Sequence, residues 1–324
     1  MSNAQNQIRV KTLFERLRQA VAAAGWTLKD ENSKVRFPEL SYTLGKDSDA
    51  LPTMVAIHPE QMLLMVVTDL QIEFGGGNHR EMSVAMQLIN QTLELGCFDT
   101  FIERERVGYR LSCFCGREEP RVEYLTALLS AAANMAKAYD SPLTELDNAE
   151  LTTRQFAKKL ETIRPVIRPE LDMNDMAKEA FANICKYLKE RDYTVSTFEG
   201  ALVGSVCVEA KESAGETIFS VDIRPGLIRL RRRILATVSP LRRLDIAAAV
   251  NYLNSQTNEG YFQYKVADGV IDLCMAGLYS GGPSDGKLFA AMLETADTIE
   301  SEIVPPLCQL NDGKIELWQF RNQV

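Results

Sequence analysis

The chain resembles itself: landmarks in its first half recur in the same order in its second half. The matched landmarks are Trp26-Thr27 with Tyr193-Thr194, Ile57-His58-Pro59 with Ile223-Arg224-Pro225, Leu88-Ile89-Asn90 with Tyr252-Leu253-Asn254, and Gly108 with Gly269. The offset between matched positions falls slowly from 167 to 161 residues, as small deletions in turns would produce. A repeat of this length predicts two copies of one structural unit.

Each copy shows the same order of helical and strand-like segments. Apolar residues recur at helical spacing at the start of each copy, beginning with Leu13 and Met176. Strand-like segments follow at 35–45, 53–58, 62–68, 97–104 and 107–115, matched by 200–211, 216–224, 227–237, 260–266 and 269–278. One helix separates the third strand from the fourth, and another closes the copy. The sequence therefore predicts an α+β fold of two tandem repeats, each an antiparallel sheet of about five strands with helices packed on it.

Prolines and a turn signal define the predicted domain boundaries. Pro165 and Pro169 stop helix and favour an extended link between the copies. Asn311-Asp312-Gly313 is a turn signal, and the alternating residues from Ile315 to Phe320 predict a short strand after it. The predicted divisions are a first repeat at 1–140, a linker with a polar helix at 141–173, a second repeat at 174–310, and a C-terminal turn and strand at 311–324.

Composition excludes several classes of protein. No apolar run approaches the roughly 18 residues that a membrane-spanning helix requires. The N-terminus lacks the pattern of a secretory signal, so we expect a cytoplasmic protein. Seven cysteines are an odd number with no CxxC pair, which indicates free thiols in a reducing compartment. A net charge of -8 repels polyanions and argues against a nucleic-acid partner.

The order of segments, together with the step from Leu253-Asn254 to Phe262, resembles the YbjN family, which is associated with bacterial sensory transduction. The resemblance covers both halves of the chain. That family shares its fold with type III secretion chaperones, so the resemblance implies a type III secretion chaperone-like fold and a role in binding other proteins. It supplies no catalytic residues.

One strand of the second copy carries the strongest charge feature in this acidic chain. The segment 228–234 alternates so that Arg229, Arg231 and Arg233 share one face, with Arg242 and Arg243 soon after. Guanidinium groups in a row recognise carboxylates or phosphates. A solvated outer face paired with glutamates is the alternative. We predict a protein-binding surface that includes Arg229, Arg231, Arg233 and Arg242.

The matching strand of the first copy is apolar on both faces. It runs from Met62 to Val67 and includes Leu64. Its apolar face can bury against the other copy, dock a second copy of the chain or receive a client segment, and methionine suits adaptable contacts. Met62 and Leu64 are therefore added to the predicted partner surface, and a homodimer is left open.

Two glycine-rich loops offer the alternative function of a small-molecule or nucleotide sensor. The segment 281–288 nearly spells a phosphate-binding loop, and Gly282, Gly286 and Lys287 are its key positions. Leu288 stands where that motif has a hydroxyl residue, and Pro283 removes one amide donor. Gly76 and Gly77 precede a helix whose free amides could hold an anion. Flexible turns explain both loops equally well.

Nothing in the sequence indicates catalysis or a metal site. His58 and His79 lie in different elements without metal-ligand spacing. Cys113 and Cys115 lie two apart on a strand, which predicts a shared core face. The sequence therefore predicts a non-catalytic protein-binding adaptor or chaperone-like module without cofactor or metal, whose partner is an unidentified protein client or regulator.

Overall fold

The computed structural model of the chain describes residues 3–32, 38–44, 51–73, 79–101, 106–116, 120–163, 174–198, 200–207, 217–222 and 226–324. In the first half the elements are α1 (Asn3–Ala23), β1 (Thr27–Asn32), β2 (Glu39–Leu44), β3 (Leu51–His58), β4 (Leu63–Glu73), α2 (His79–Asn90), β5 (Cys97–Phe101), β6 (Arg106–Cys115), α3 (Val122–Asp147) and α4 (Thr153–Leu160). In the second half they are α5 (Asn174–Lys189), β7 (Thr194–Thr197), β8 (Val203–Cys207), β9 (Thr217–Asp222), β10 (Leu227–Leu235), α6 (Arg243–Gln256), β11 (Tyr261–Lys265), β12 (Val270–Leu278), α7 (Ser284–Asn311) and α8 (Leu317–Arg321).

The strands that the structure describes form one sheet across both halves. Their order is β1-β2-β3-β4-β6-β12-β10-β9-β8-β7, with β5 beside β6 and β11 beside β12. The described pairs are antiparallel except where β6 meets β12, in a short parallel contact of Phe114 with Gly277 and of Cys115 with Leu278. The α+β fold is confirmed, and the halves join through their final strands.

The two halves repeat the same order of elements and the same strand pairing. Leu63 opens β4 opposite His58 and Phe114, just as Leu227 opens β10 opposite Asp222 and Leu278. By this register, Met65 corresponds to Arg229 and Val67 to Arg231. Gly108 corresponds to Asp272, so the sequence match of Gly108 with Gly269 is wrong. A common origin of the two halves stays a prediction, but their positions can be compared one by one.

Two buried asparagines give a structural reason for the repeated Asn-to-aromatic step. The Asn90 side chain donates to the carbonyl of Phe98 at 2.8 Å and accepts from its amide at 2.7 Å. Asn254 makes the same two bonds with Phe262, at 3.1 and 2.6 Å. Each asparagine fastens the end of a helix to the following strand, and neither is exposed.

Each half has its own apolar core. In the first half α1 and α3 pack together and contact the sheet, and Leu17, Val66 and Leu129 are among the buried residues. In the second half α5 and α7 do the same, with Ile184, Leu230 and Phe289. Full burial of one such side chain contributes about 1.5–3 kcal/mol. Cys113 and Cys115 lie in the first core, where the sequence predicts them.

Three details differ from the sequence-based prediction. Among the described residues each half has six strands instead of about five, because β1 and β7 are polar, mostly exposed strands at the sheet edges. The predicted C-terminal strand is wrong: Leu317–Arg321 is helix α8, with Glu316 and Gln319 bonded to each other as a capping box. Within the predicted linker, α4 buries Phe156 and Leu160 in the first core.

Candidate functional site

A groove lies on the face of the second half's sheet that points away from α5 and α7. Alternation along β10 buries Leu230 and Arg232 on the helix side and turns Arg229 and Arg231 to the other side. The first half supplies one wall, which is the turn at 91–96 between α2 and β5. We call this space, of about 450 Å³, the arginine groove; its lining includes Arg229, Arg231, Lys265, Tyr261, Gln263 and Ile218.

Among the described residues, positive charge exceeds negative charge at one end of β10. Arg233 donates through Nε to Oδ1 of Asp272, Lys265 Nζ lies 3.2 Å from Oδ2 of the same carboxylate, and Arg231 lies 4.0 Å from it. Asp272 is 1% exposed, whereas Arg231 and Arg233 are 43% and 40% exposed. Among the residues that the structure describes, the Arg231 side chain donates no hydrogen bond. In the part of the chain that the structure describes, three cations thus share one buried carboxylate, so positive charges outnumber negative ones there by two.

Arg229 is held more firmly at the other end. Its Nη2 donates to Asp222 at 2.5 Å and its Nη1 to the carbonyl of Glu94 at 3.2 Å, so it ties β9 to the turn of the first half. Burial raises the pKa of the Asp222 carboxyl, against the lowering effect of Arg229. The sequence predicts three equivalent arginines, but Arg229 and Arg233 each donate to a carboxylate, whereas the Arg231 side chain donates no hydrogen bond to a described residue.

Arg232 is a buried charged residue that the sequence analysis did not single out. It is 1% exposed and points into the second core, where it bonds to Thr217 at 2.9 Å, to Asp297, and to Glu300 at 3.1 Å. A buried arginine needs such partners. Strand alternation could have revealed its burial, because Arg232 lies on the apolar side of the strand between Leu230 and Ile234.

The remaining predicted partner residues lie away from the arginine groove. Arg242 precedes α6 and pairs with Asp245 at 3.0 Å and with Glu316 at 3.5 Å. Met62 is 9% exposed and Leu64 is fully buried, both in the first core. The prediction that Met62 and Leu64 belong to a partner surface is corrected here, because alternation turns Leu64 inward and leaves Met65 and Val67 outward.

Met65 and Val67 line a second groove, on the open face of the first half. Its volume is about 680 Å³, and the turn at 255–258 after α6 forms one side of it. We call it the methionine groove; its lining includes Met54, Met65, Val67, Lys29, Asp99 and Arg110. Each groove is thus bordered by a helix-to-strand turn from the opposite half.

A buried ion pair lies between the two halves. Arg110 Nε donates to Asp99 Oδ2 at 3.0 Å, and the two side chains are 6% and 1% exposed. The other four N–H groups of Arg110 bond to Ser112 and to the carbonyl of Gly260 from Nη1, and to Cys97 Sγ and the carbonyl of Asn254 from Nη2. Burial raises the pKa of the Asp99 carboxyl, although Arg110 opposes that rise.

The predicted phosphate loop is filled by the chain's own carboxylate. The amides of Ser280 and Gly281 donate to Asp285 at 3.0 and 2.9 Å, and Asp285 is 1% exposed. Gly286 serves packing, because a Cβ there would lie 2.4 Å from Cβ of Tyr187 on α5. The Asp285 N–H bonds to the Gly282 carbonyl at 3.1 Å, and Lys287 is exposed. Gly76 and Gly77 lie outside the described residues.

No described helix combines the length and apolarity needed to cross a membrane. Comparisons with protein-family models, with curated proteins and with solved structures give no match to this chain.

Proposed function

We propose that the chain is a non-catalytic protein-binding adaptor or chaperone-like module, and that the arginine groove holds an acidic segment of its partner. The observation that carries the proposal is the sharing of the buried Asp272 carboxylate by Arg231, Arg233 and Lys265 on an open sheet face. A carboxylate from a partner would neutralise part of this excess and accept hydrogen bonds from Arg231.

The groove suits a protein segment because it combines cations with apolar surface. Ile218, Val203 and Ala276 line it beside the arginines, so a segment that alternates acidic and apolar side chains would match both. The net charge of -8 disfavours a polyanionic nucleic acid. The resemblance to the YbjN family and to type III secretion chaperones points to the same role, and membership of that family is part of the proposal.

The test uses a defined acidic probe. A fluorescent decapeptide of alternating glutamate and leucine is titrated with the full chain, and the same peptide with glutamine serves as its neutral control. Arg231→Glu places a carboxylate in the groove, and we expect it to weaken binding of the acidic peptide at least about tenfold. Added salt should also weaken binding, because this attraction is screened.

Arg231→Glu is chosen because changes at Arg229 or Arg233 would also remove the hydrogen bonds that these side chains donate to Asp222 and Asp272. The matched control is Arg243→Glu, an exposed position on α6 that does not line the groove. Equal binding of the glutamate and glutamine peptides, or equal loss in both variants, would contradict the proposal.

A further inference from the structure

The methionine groove differs from the arginine groove in its chemistry. Among its lining residues, Met54, Met65 and Val67 are apolar and half-buried, and Met54 lies directly opposite Val67 on the neighbouring strand. Methionine adapts to the shape of its contact and packs well against aromatic rings. The groove has a volume of about 680 Å³, within the range of sites that enclose a ligand side chain.

Two residues that line this groove have a buried polar atom without a hydrogen bond among the described residues, Tyr42 at its hydroxyl and Asp99 at Oδ1. Asp99 is 1% exposed, and its Oδ1 accepts no hydrogen bond from any described residue. Arg110 cannot supply one, because all five of its N–H groups are already bonded. Buried carboxylate oxygens in proteins are nearly always satisfied, so this acceptor calls for a donor from outside the described residues.

The donor that fits is neutral. Arg110 already balances the charge of Asp99, so a lysine or arginine from a partner would leave one positive charge uncompensated in a buried place. A tyrosine has an aromatic body for the methionine walls and an O–H at its far end for the carboxylate. We propose that the methionine groove is a second docking site, which takes a tyrosine side chain from a partner protein and bonds its hydroxyl to Asp99.

The test compares three matched peptides. Acetyl-Ala-Leu-Tyr-Leu-Ala-amide, its phenylalanine counterpart and its O-methyltyrosine counterpart are titrated into the full chain with methyl-labelled methionine, and NMR follows Met54 and Met65. One added hydrogen bond predicts that the tyrosine peptide binds about fivefold more tightly than the other two. Equal affinity for the tyrosine and phenylalanine peptides, or unmoved Met54 and Met65 signals, would overturn the proposal.

Variants separate the hydrogen bond from simple filling of the groove. Asp99→Asn keeps an oxygen for Arg110 and turns an N–H₂ group to the groove, which donates to either phenolic oxygen, so the tyrosine and O-methyltyrosine peptides should then bind alike. Should that variant fail to fold, Val67→Arg fills the groove and should abolish binding of the tyrosine peptide. Arg231→Glu should leave it unchanged, which keeps this result independent of the arginine groove.

Discussion

Strands β4 and β10 occupy the same place in the two halves but present different chemistry on their open faces. Met65 and Val67 of β4 correspond to Arg229 and Arg231 of β10, while the core sides of both strands are mostly apolar. The core side is constrained by packing on helices, whereas the open side is free to change. The comparison indicates that one scaffold presents methionine and valine at these positions in one groove and arginines in the other.

The largest expected effect concerns a buried charge at a position where the second half has a cysteine. Arg110 on β6 corresponds in register to Cys274 on β12. Arg110→Ala would leave Asp99 as an unpaired buried carboxylate and remove five hydrogen bonds, so we expect a loss of about 3–5 kcal/mol in the free energy of unfolding. Urea denaturation measures it. Cys274→Ala is the matched change, and a loss as large as that of Arg110→Ala would contradict the assignment.

The two asparagines should behave alike. Asn90→Ala and Asn254→Ala each remove two hydrogen bonds to buried backbone groups, and we expect each to lower stability by about 2–3 kcal/mol. Urea denaturation of both variants gives the comparison. A difference of more than about 1 kcal/mol between them would show that the two halves use this feature differently.

The loop before α7 separates a packing role from a ligand role. Gly286→Ala would force a Cβ against Tyr187, so we expect a loss of about 1–3 kcal/mol in the free energy of unfolding. Lys287→Ala removes an exposed side chain and should change stability by less than about 0.5 kcal/mol. Thermal and urea unfolding of both variants measure this. Unchanged stability of Gly286→Ala would remove the packing explanation.

Alkaline pH should destabilise the first half through its buried thiols. Burial raises the pKa of the Cys97 and Cys115 thiols to about 12, from an ordinary value of 9.0. At Cys97 the nearby Arg110 lowers the pKa, but burial has the larger effect. Above pH 9 the unfolded thiols ionise while the folded ones keep their protons, so rising pH favours the unfolded state. Each thiol should lower the free energy of unfolding by roughly 1 kcal/mol per pH unit.

Urea denaturation between pH 8 and 10.5 measures this slope, and Cys115→Ala should reduce it. An unchanged slope in that variant would assign the effect to other groups.

The sequence predicts regular elements well and the polar interior poorly. The alternation of Arg229, Arg231 and Arg233 is a local pattern, so it can be read from residue types alone. Asp272 and Asp99 gain their meaning from partners on other strands, which no local pattern reveals. The six residues from Ile315 are too few to distinguish a strand from a short helix by period.

The glycine loop was ambiguous for a different reason. Its residue types fit a phosphate site, but the Asp285 carboxylate accepts the hydrogen bond of the Gly281 amide, only four residues away. Spacing alone does not tell whether such a loop binds a ligand or its own side chain.

The most direct test of the central claim maps where an acidic segment binds. A photo-crosslinking amino acid is placed at Ile218 in the arginine groove and, in a second variant, at Met54 in the methionine groove. Each is irradiated with the glutamate-leucine decapeptide, and mass spectrometry locates the crosslink. The account predicts crosslinking from position 218 that Arg231→Glu abolishes, and little from position 54. Crosslinking from position 54 alone, or from 218 without dependence on Arg231, would contradict it.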